Sequence, residues 1–449
     1  SHAEGRGIER VKENERTQQS VFDGFTMWAS ANLTPATFAA GTLGSTLGLS
    51  FGQSAAVIVS MNFFFAGIVG YFGTFGPVTG LRMMTVARFT FGVWGTRILI
   101  ALGLCGLIGW ASVNCITGAQ VLLQISDGRL PLWAGNLIIG ASTAVVSFFG
   151  YFAVHLFERY CWIPLLAFFI FLLAYGTPHF DPSTPPIVPS SVAGITTFCS
   201  IIFGFVAGWC LVVGDYYVHM PANTSRIKLG LTIWAGNFFG IVIPELLGAA
   251  FMTTLKEPQF AEAYGDRYIG GLMGQALEPL GGFGKFLLAL AALSTIASNL
   301  TSNYSLAFAI QNFHPWLIKV PRPIWSIVAS IIFIIIAIAG ASSFVEVLTS
   351  FLSIVSYSTS PFVCCILVDY LYFRQNRYPL DSWDDFSEIP WGLAGVVALC
   401  LGFAGAVLSM YQEWYIGVVA RASGAELGWI FSGVFSLLAY IPLRFVELR

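Results

Sequence analysis

The sequence predicts an all-α membrane protein of about 12 transmembrane helices, the first ten forming two sets of five with two further helices behind them. Three observations carry this: apolar runs recur along the whole chain, charge is scarce, and two helices are interrupted at matching positions of the two sets. Of 449 residues only 21 are Lys or Arg and 23 are Asp or Glu, while 56% are hydrophobic and the mean hydropathy is +0.76. Ordinary soluble domains carry about 25% charged residues. Most of this chain is therefore expected in lipid, with no soluble block of domain size left over.

Crossing a bilayer takes about 20 mainly apolar residues. Charges and Gly/Pro clusters divide the chain into helices near 24–49, 54–75, 93–124, 133–150, 160–176, 194–219, 228–254, 283–312, 323–340, 344–373, 391–411 and 428–445. Residues 1–23 read as a cytoplasmic N-terminal segment, and 24–449 as one transmembrane domain. Its repeats are expected at about 24–176 and 194–373, its extra helices at about 391–411 and 428–445.

The cytoplasmic side of a membrane protein holds the excess of Lys and Arg. Only Arg129, Lys256, Arg267, Lys285 and Arg421 fall opposite the side that holds the N-terminus; all the other Lys and Arg share that side. Both termini are thus expected in the cytoplasm. The loop 177–193, with Pro178, Pro182, Pro185, Pro186 and Pro189, reads as a stiff external connector. Residues 255–282 read as an external surface turn or short amphipathic helix, and Asp381, Asp384, Asp385 and Glu388 as a solvated cytoplasmic loop.

Composition also excludes functions. No block of like charge offers a nucleic-acid footprint. The five histidines form no H-E-x-x-H motif, and neither a G-x-S-x-G elbow nor a Walker A sequence occurs, so an enzyme or an ATP-driven pump is not expected. A channel or structural membrane protein is the remaining rival. All eight cysteines lie in apolar stretches and read as small hydrophobes.

The first helix contains Asn32-Leu33-Thr34-Pro35-Ala36 followed by Gly41 and Gly44, and the sixth contains Gly204, Gly208 and Gly214. Interrupted segments in corresponding positions point to a transporter of inverted repeats with its site at the membrane midplane. The alternative is glycines that serve only close helix packing.

In the third helix Trp110 and Asn114 lie four apart and share a face. An indole stacks on planar rings and an amide both donates and accepts hydrogen bonds. Packing and interhelical bonding are the structural reading of the same pair. The eighth helix repeats Ser294, Ser298 and Ser302 at every fourth position, and beside them Thr295, Asn299 and Asn303. Lipid does not tolerate such stripes, so they face protein, ion or solute. Phe205 and Trp209 flank the glycines of the sixth helix and offer a second stacking wall. Ionisable groups at depth are Asp215, Glu245 and Glu158, with His155 three residues before the last. Asp215 also reads as a cap near the cytoplasmic end, Glu245 as a tie between helices, Glu158 as a partner of the adjacent Arg159 or an interfacial residue, and His155 as a lone interfacial histidine.

Several motifs spread over the chain resemble those of the fungal purine-cytosine permeases, a branch of the nucleobase-cation symporters: Arg6-Gly7-Ile8-Glu9-Arg10, Ala87-Arg88-Phe89-Thr90-Phe91-Gly92, the Trp110/Asn114 pair, Phe157-Glu158-Arg159-Tyr160, Asp215-Tyr216, Pro221-Ala222-Asn223-Thr224 and Pro442-Leu443-Arg444. The resemblance implies a LeuT-like fold of two inverted five-helix repeats plus two C-terminal helices, and proton-coupled uptake of a purine or cytosine across the plasma membrane. It implies that Trp110, Asn114 and Asn299 hold the solute. Glu158, with His155, would carry the coupling proton, and no cofactor is called for. Ser298, Ser302, Phe205, Trp209 and Thr34 complete the expected solute site. The eighth helix departs from the branch: Ser298-Asn299-Leu300-Thr301-Ser302 stands where the family has adjacent asparagines followed by Pro and Asn. Another heterocycle, such as a pyridoxine-type vitamin, therefore stays open, as does Na⁺ held by Ser298, Thr301 or Ser302.

Overall fold

The computed structural model describes residues 9–18, 20–149, 160–313, 315–385 and 389–448. The first expected helix is two: α1 (Asp23–Asn32) and α2 (Pro35–Thr46). Proline tolerates the first position of a helix, where its missing N–H costs nothing, and biases the residue before it away from helical backbone. Thr34 accordingly lies at φ −135°, ψ 158°, and its hydroxyl caps α2 by accepting from the Thr37 N–H at 3.3 Å.

Next come α3 (Phe51–Gly73), α4 (Met83–Ile125), α5 (Leu132–Phe149) and α6 (Trp162–Gly176). α4 bends at Gly92, whose φ of 63° favours glycine. A side chain there would also strike Gly392, 2.5 Å from where its Cβ would stand. The sixth expected helix is α7 (Val192–Ala207) followed by two tighter turns, Gly208–Leu211 and Val213–Tyr216. Beyond it lie α8 (Arg226–Phe251), α9 (Pro258–Leu277), α10 (Gly282–Phe313), α11 (Arg322–Gly340), α12 (Phe344–Val368), α13 (Leu393–Ser409) and α14 (Gly428–Glu447).

Each expected segment coincides with a helix or a broken helix. By length and composition, 8 stretches among the described residues are long and apolar enough to cross a membrane. The first expected segment is not among them because its break leaves pieces of 10 and 12 residues. The fourth and eleventh are shorter apolar helices, and the ninth runs into the tenth across the turn Ala341–Ser343. The region 255–282 is more structured than expected. It holds the 20-residue α9, kinked at Tyr268, whose Ile269, Leu272, Met273 and Ala276 are buried.

Packing divides the helices into two groups. α1, α2 and α3 pack on α8, and α3 also on α7, while α10 packs on α4 and α11 on α4 and α5. α13 and α14 pair with each other and lean on α12 and α4. The fully buried Arg444 of α14 fixes that attachment, donating to Asp369 at 2.9 Å, to the Phe89 carbonyl at 2.6 Å and to Glu447 at 2.8 Å.

The proline-rich loop after α6 is tied to the end of α8. Asp181 N–H donates to Thr253 Oγ1 at 3.1 Å, and Lys256 donates to the Asp181 carboxylate at 2.5 Å. The Lys256 ammonium and the Ser183 donors hold the Asp181 carboxyl well below the usual carboxylate range, so this tie stays ionised at neutral pH and is lost only as pH falls through that depressed value.

Candidate solute site

The two helix breaks face the same space. A small cavity is lined by Ala31, Asn32, Thr34, Ala36 and Thr37 from the α1–α2 break and by Trp110 and Asn114 from α4. Phe205 and Trp209 contribute from the end of α7, and Ser298 and Ser302 from α10. Seven of the expected solute residues thus share one lining, drawn from both helix groups.

Each side chain is held by its neighbours. Trp110 packs edge-on against Phe205, with ring centroids 4.8 Å apart, and against Phe351 at 5.5 Å. Asn114 donates from its amide to Ser298 Oγ at 3.2 Å, linking α4 to α10. The Thr37 hydroxyl donates to the Asn32 carbonyl at 2.5 Å, which closes the break around a carbonyl that α1 leaves free.

Asn32 is the residue that sequence reasoning missed as a lining group, having read it only as part of the interruption. Its Oδ1 accepts from Trp209 Nε1 at 3.2 Å, and its amide nitrogen donates to the Trp28 carbonyl at 2.9 Å and to Asn237 Oδ1 at 3.2 Å. One side chain therefore orients the Trp209 indole and joins the first broken helix to α8. An amide placed at the helix break was the available signal.

Asn299 is elsewhere. Its amide donates to the Ala111 carbonyl at 3.2 Å and to Cys115 Sγ at 3.5 Å, and its Oδ1 is buried with no partner among the described residues. Successive residues of a helix turn by about 100°, so when Ser298 and Ser302 face the cavity the neighbouring stripe faces α4 and beyond. Asn303 follows it, donating to Ser147 at 3.0 Å and Ser330 at 3.3 Å on α5 and α11. Glu158 and His155 lie outside the described residues. Asp215 stands at the start of α4, accepting from the Met83 N–H at 2.6 Å, where a carboxylate complements the positive end of the helix dipole.

A second, wider cavity shares Trp110 and Trp209 with the first and extends to Arg82, Asp215, Ser305 and Phe308. The guanidinium of Arg82 lies 4.0 Å over the Phe308 ring. The two tryptophans are the wall common to both spaces.

Two broken helices meeting around a buried cavity, with a second cavity behind it, define a membrane transporter built on paired helix interruptions. The model of the family described as permease for cytosine/purines, uracil, thiamine, allantoin matches residues 10–429, and the chain belongs to that family. It is 35% identical to the purine-cytosine permease fcyB of Emericella nidulans over 99% of this chain and 89% of that protein. To the purine-cytosine permease FCY2 of Saccharomyces cerevisiae it is 33% identical, over 100% and 87%. Among solved structures it is similar to Mhp1, a nucleobase-cation-symport-1 family transporter. The inward-facing form gives a TM-score of 0.76 at 18% identity, covering 98% of this chain and 93% of that one. The closed form with bromovinylhydantoin bound gives 0.74 at 18%, covering 98% and 95%. The fold is thus the LeuT-like one, and the protein is a multi-pass membrane permease rather than an enzyme.

Proposed function

We propose that this permease carries a nucleobase, a purine or cytosine, by proton-coupled symport with alternating access. The observation that carries the reading is the central cavity, where two indoles, two amides and two serine hydroxyls surround one small space. Trp110 stacks on the ring of the solute and Asn114 reads its polar edge, with Ser298, Ser302, Thr34, Phe205 and Trp209 completing the enclosure. Asn299 supports the site from behind by fixing α10 against α4. The names of the fungal relatives support the solute class. A pyridoxine-type solute is the second reading, favoured by the position of Asn299: with its amide turned to α4, the cavity has one fewer donor and acceptor pair for a base. Uptake of labelled cytosine into a transport-null cell, competed with adenine, uracil and pyridoxine, tests the assignment. Competition by pyridoxine alone would replace the first reading with the second.

In the same reading 1–23 is a cytoplasmic segment, the repeats span about 24–176 and 194–373, and the protein sits in the plasma membrane with both termini inside. A cysteine placed at Ser183 is then expected to react with an impermeant thiol reagent on intact cells, and one at Ser20 to stay unlabelled. The opposite pattern would invert the topology.

No cofactor is required beyond the coupling ion. Protons are assigned to Glu158, with His155, on the resemblance and on Glu158 preceding Arg159 in the sequence: burial favours the neutral carboxyl and a neighbouring guanidinium the charged one. Glu158→Gln is expected to keep solute exchange in proteoliposomes and to lose accumulation driven by a pH gradient. Accumulation that survives in this variant and follows an imposed Na⁺ gradient would instead place the coupling ion on Ser298, Thr301 and Ser302.

A further inference from the structure

Glu245 stands in α8 next to Pro244, inside the membrane, and is fully buried. Among the described residues its carboxyl has one hydrogen-bond partner. Asn62 of α3 donates from Nδ2 to Glu245 Oε2 at 2.7 Å, and the same nitrogen donates to the Ile58 carbonyl at 2.9 Å. Both hydrogens of that amide are then committed, which fixes its orientation. Among the described residues two buried oxygens have no partner, Glu245 Oε1 and Asn62 Oδ1. The pair is one donor short.

Among the described residues no cation stands close enough to supply that donor. On the elements packed against Glu245 the charged and titratable groups are Asp23 of α1, Tyr71 of α3, Tyr175 of α6, Lys256 after α8, and Arg226 and Lys228 at its start; α2 has none. Along α8 the nearest of these cations, Lys256 and Lys228, lie about 16 Å and about 25 Å away, and Lys256 is bound to Asp181. An ionised carboxylate in such surroundings lacks compensation, and each unmet polar atom adds its own cost. A metal cation would need a shell of oxygen ligands, whereas one proton meets the whole deficit.

We propose that Glu245 and Asn62 form a proton-binding site within the membrane: the carboxyl takes a proton from water on Oε1, and the resulting O–H donates to Asn62 Oδ1. Both orphaned oxygens are then satisfied by a single bond, and the charge is removed from the interior. The backbone beside this site carries the outer half of the first broken helix. A Cβ on Gly41 would stand 1.9 Å from the Glu245 carbonyl oxygen, so α2 lies directly on this turn of α8. Loading the site with a proton is what lets α2 sit there against a neutral surface. The site is separate from Glu158 and rests on the permease reading only for its place in a transporter.

Infrared difference spectroscopy of the reconstituted full-length protein tests this, with Glu245→Gln as the reference. The expected result is a carboxylic acid C=O band at neutral pH, shifted by deuterium exchange and wholly absent from Glu245→Gln. Thermal stability is expected to survive in Glu245→Gln, which is neutral, and to fall in Asn62→Leu. A wild-type spectrum in which Glu245 contributes only carboxylate bands at neutral pH overturns the proposal. So does stabilisation by Na⁺ that Glu245→Gln abolishes, since that defines a metal-cation site. Should Glu245→Gln fail to fold, Glu245→Asp keeps the acid but moves it, and must shift the same band; an unmoved band overturns the assignment. Solute exchange, measured on the same samples, tests the permease reading independently.

Discussion

Trp110→Ala is expected to abolish saturable solute binding while leaving the protein folded. Stacking of a base on an aromatic side chain contributes roughly 1–3 kcal/mol, which corresponds to a loss of about five- to 150-fold in affinity. The indole has a second task that adds to the loss. Its edge-on contacts with Phe205 and Phe351 hold α4 against the end of α7 and against α12, so its removal also loosens the enclosure that orders the solute. Trp110→Phe keeps a ring in place and is expected to fall between wild type and alanine. Equilibrium binding of labelled cytosine to purified protein, with size-exclusion profiles as the control for folding, gives the measurement. Unchanged affinity in the alanine variant would remove Trp110 from the site.

Gly41→Val is expected to cost the most stability of any single change in the first broken helix. An added Cβ would stand 1.9 Å from the Glu245 carbonyl oxygen, and on the facing helix a Cβ at Gly248 would stand 2.0 Å from the Phe38 carbonyl oxygen. Both obstacles are backbone atoms of regular helices, which cannot rotate aside as a side-chain tip would. Forcing extra atoms into a packed interior costs about 1–3 kcal/mol, and more where the backbone must move. The expected outcome is a lower melting temperature and a smaller monodisperse fraction after solubilisation. Gly265→Val is the control, because a side chain there meets nothing within 4 Å. Equal behaviour of the two variants would show that α2 and α8 are not locked together.

Much of this architecture was legible in the sequence, for identifiable reasons. Helix positions followed from apolar runs cut by charge, since lipid admits few other arrangements. The break of the first helix followed from Thr34-Pro35, a capping residue and a proline that together start a new helix. The faces of α10 were only half legible. Spacing showed that the Ser298/Ser302 and Asn299/Asn303 stripes are neighbours on one helix, but helical periodicity fixes relative and not absolute orientation, and packing on α4 decides which stripe meets the cavity. The short apolar reach of the first segment has a similar origin, because a helix broken at the site no longer crosses in one piece. Glu245 looked like a tie between helices, and its bond to Asn62 agrees. The missing donor beside it had no signature in the sequence, because Asn62 comes near only when α3 folds onto α8.

The wall shared by the two cavities sets a kinetic bargain for the carrier. Trp110 and Trp209 border both spaces, so under the proposed function the surface that grips the solute is also the barrier it must pass to leave. Dissociation toward the wider cavity then requires breaking the stacking contact itself, and residence time and turnover become opposed quantities. Substitutions that extend the aromatic surface at Trp110 or Trp209 would lengthen occupancy while slowing each transport cycle, turning a carrier into a high-affinity but sluggish scavenger.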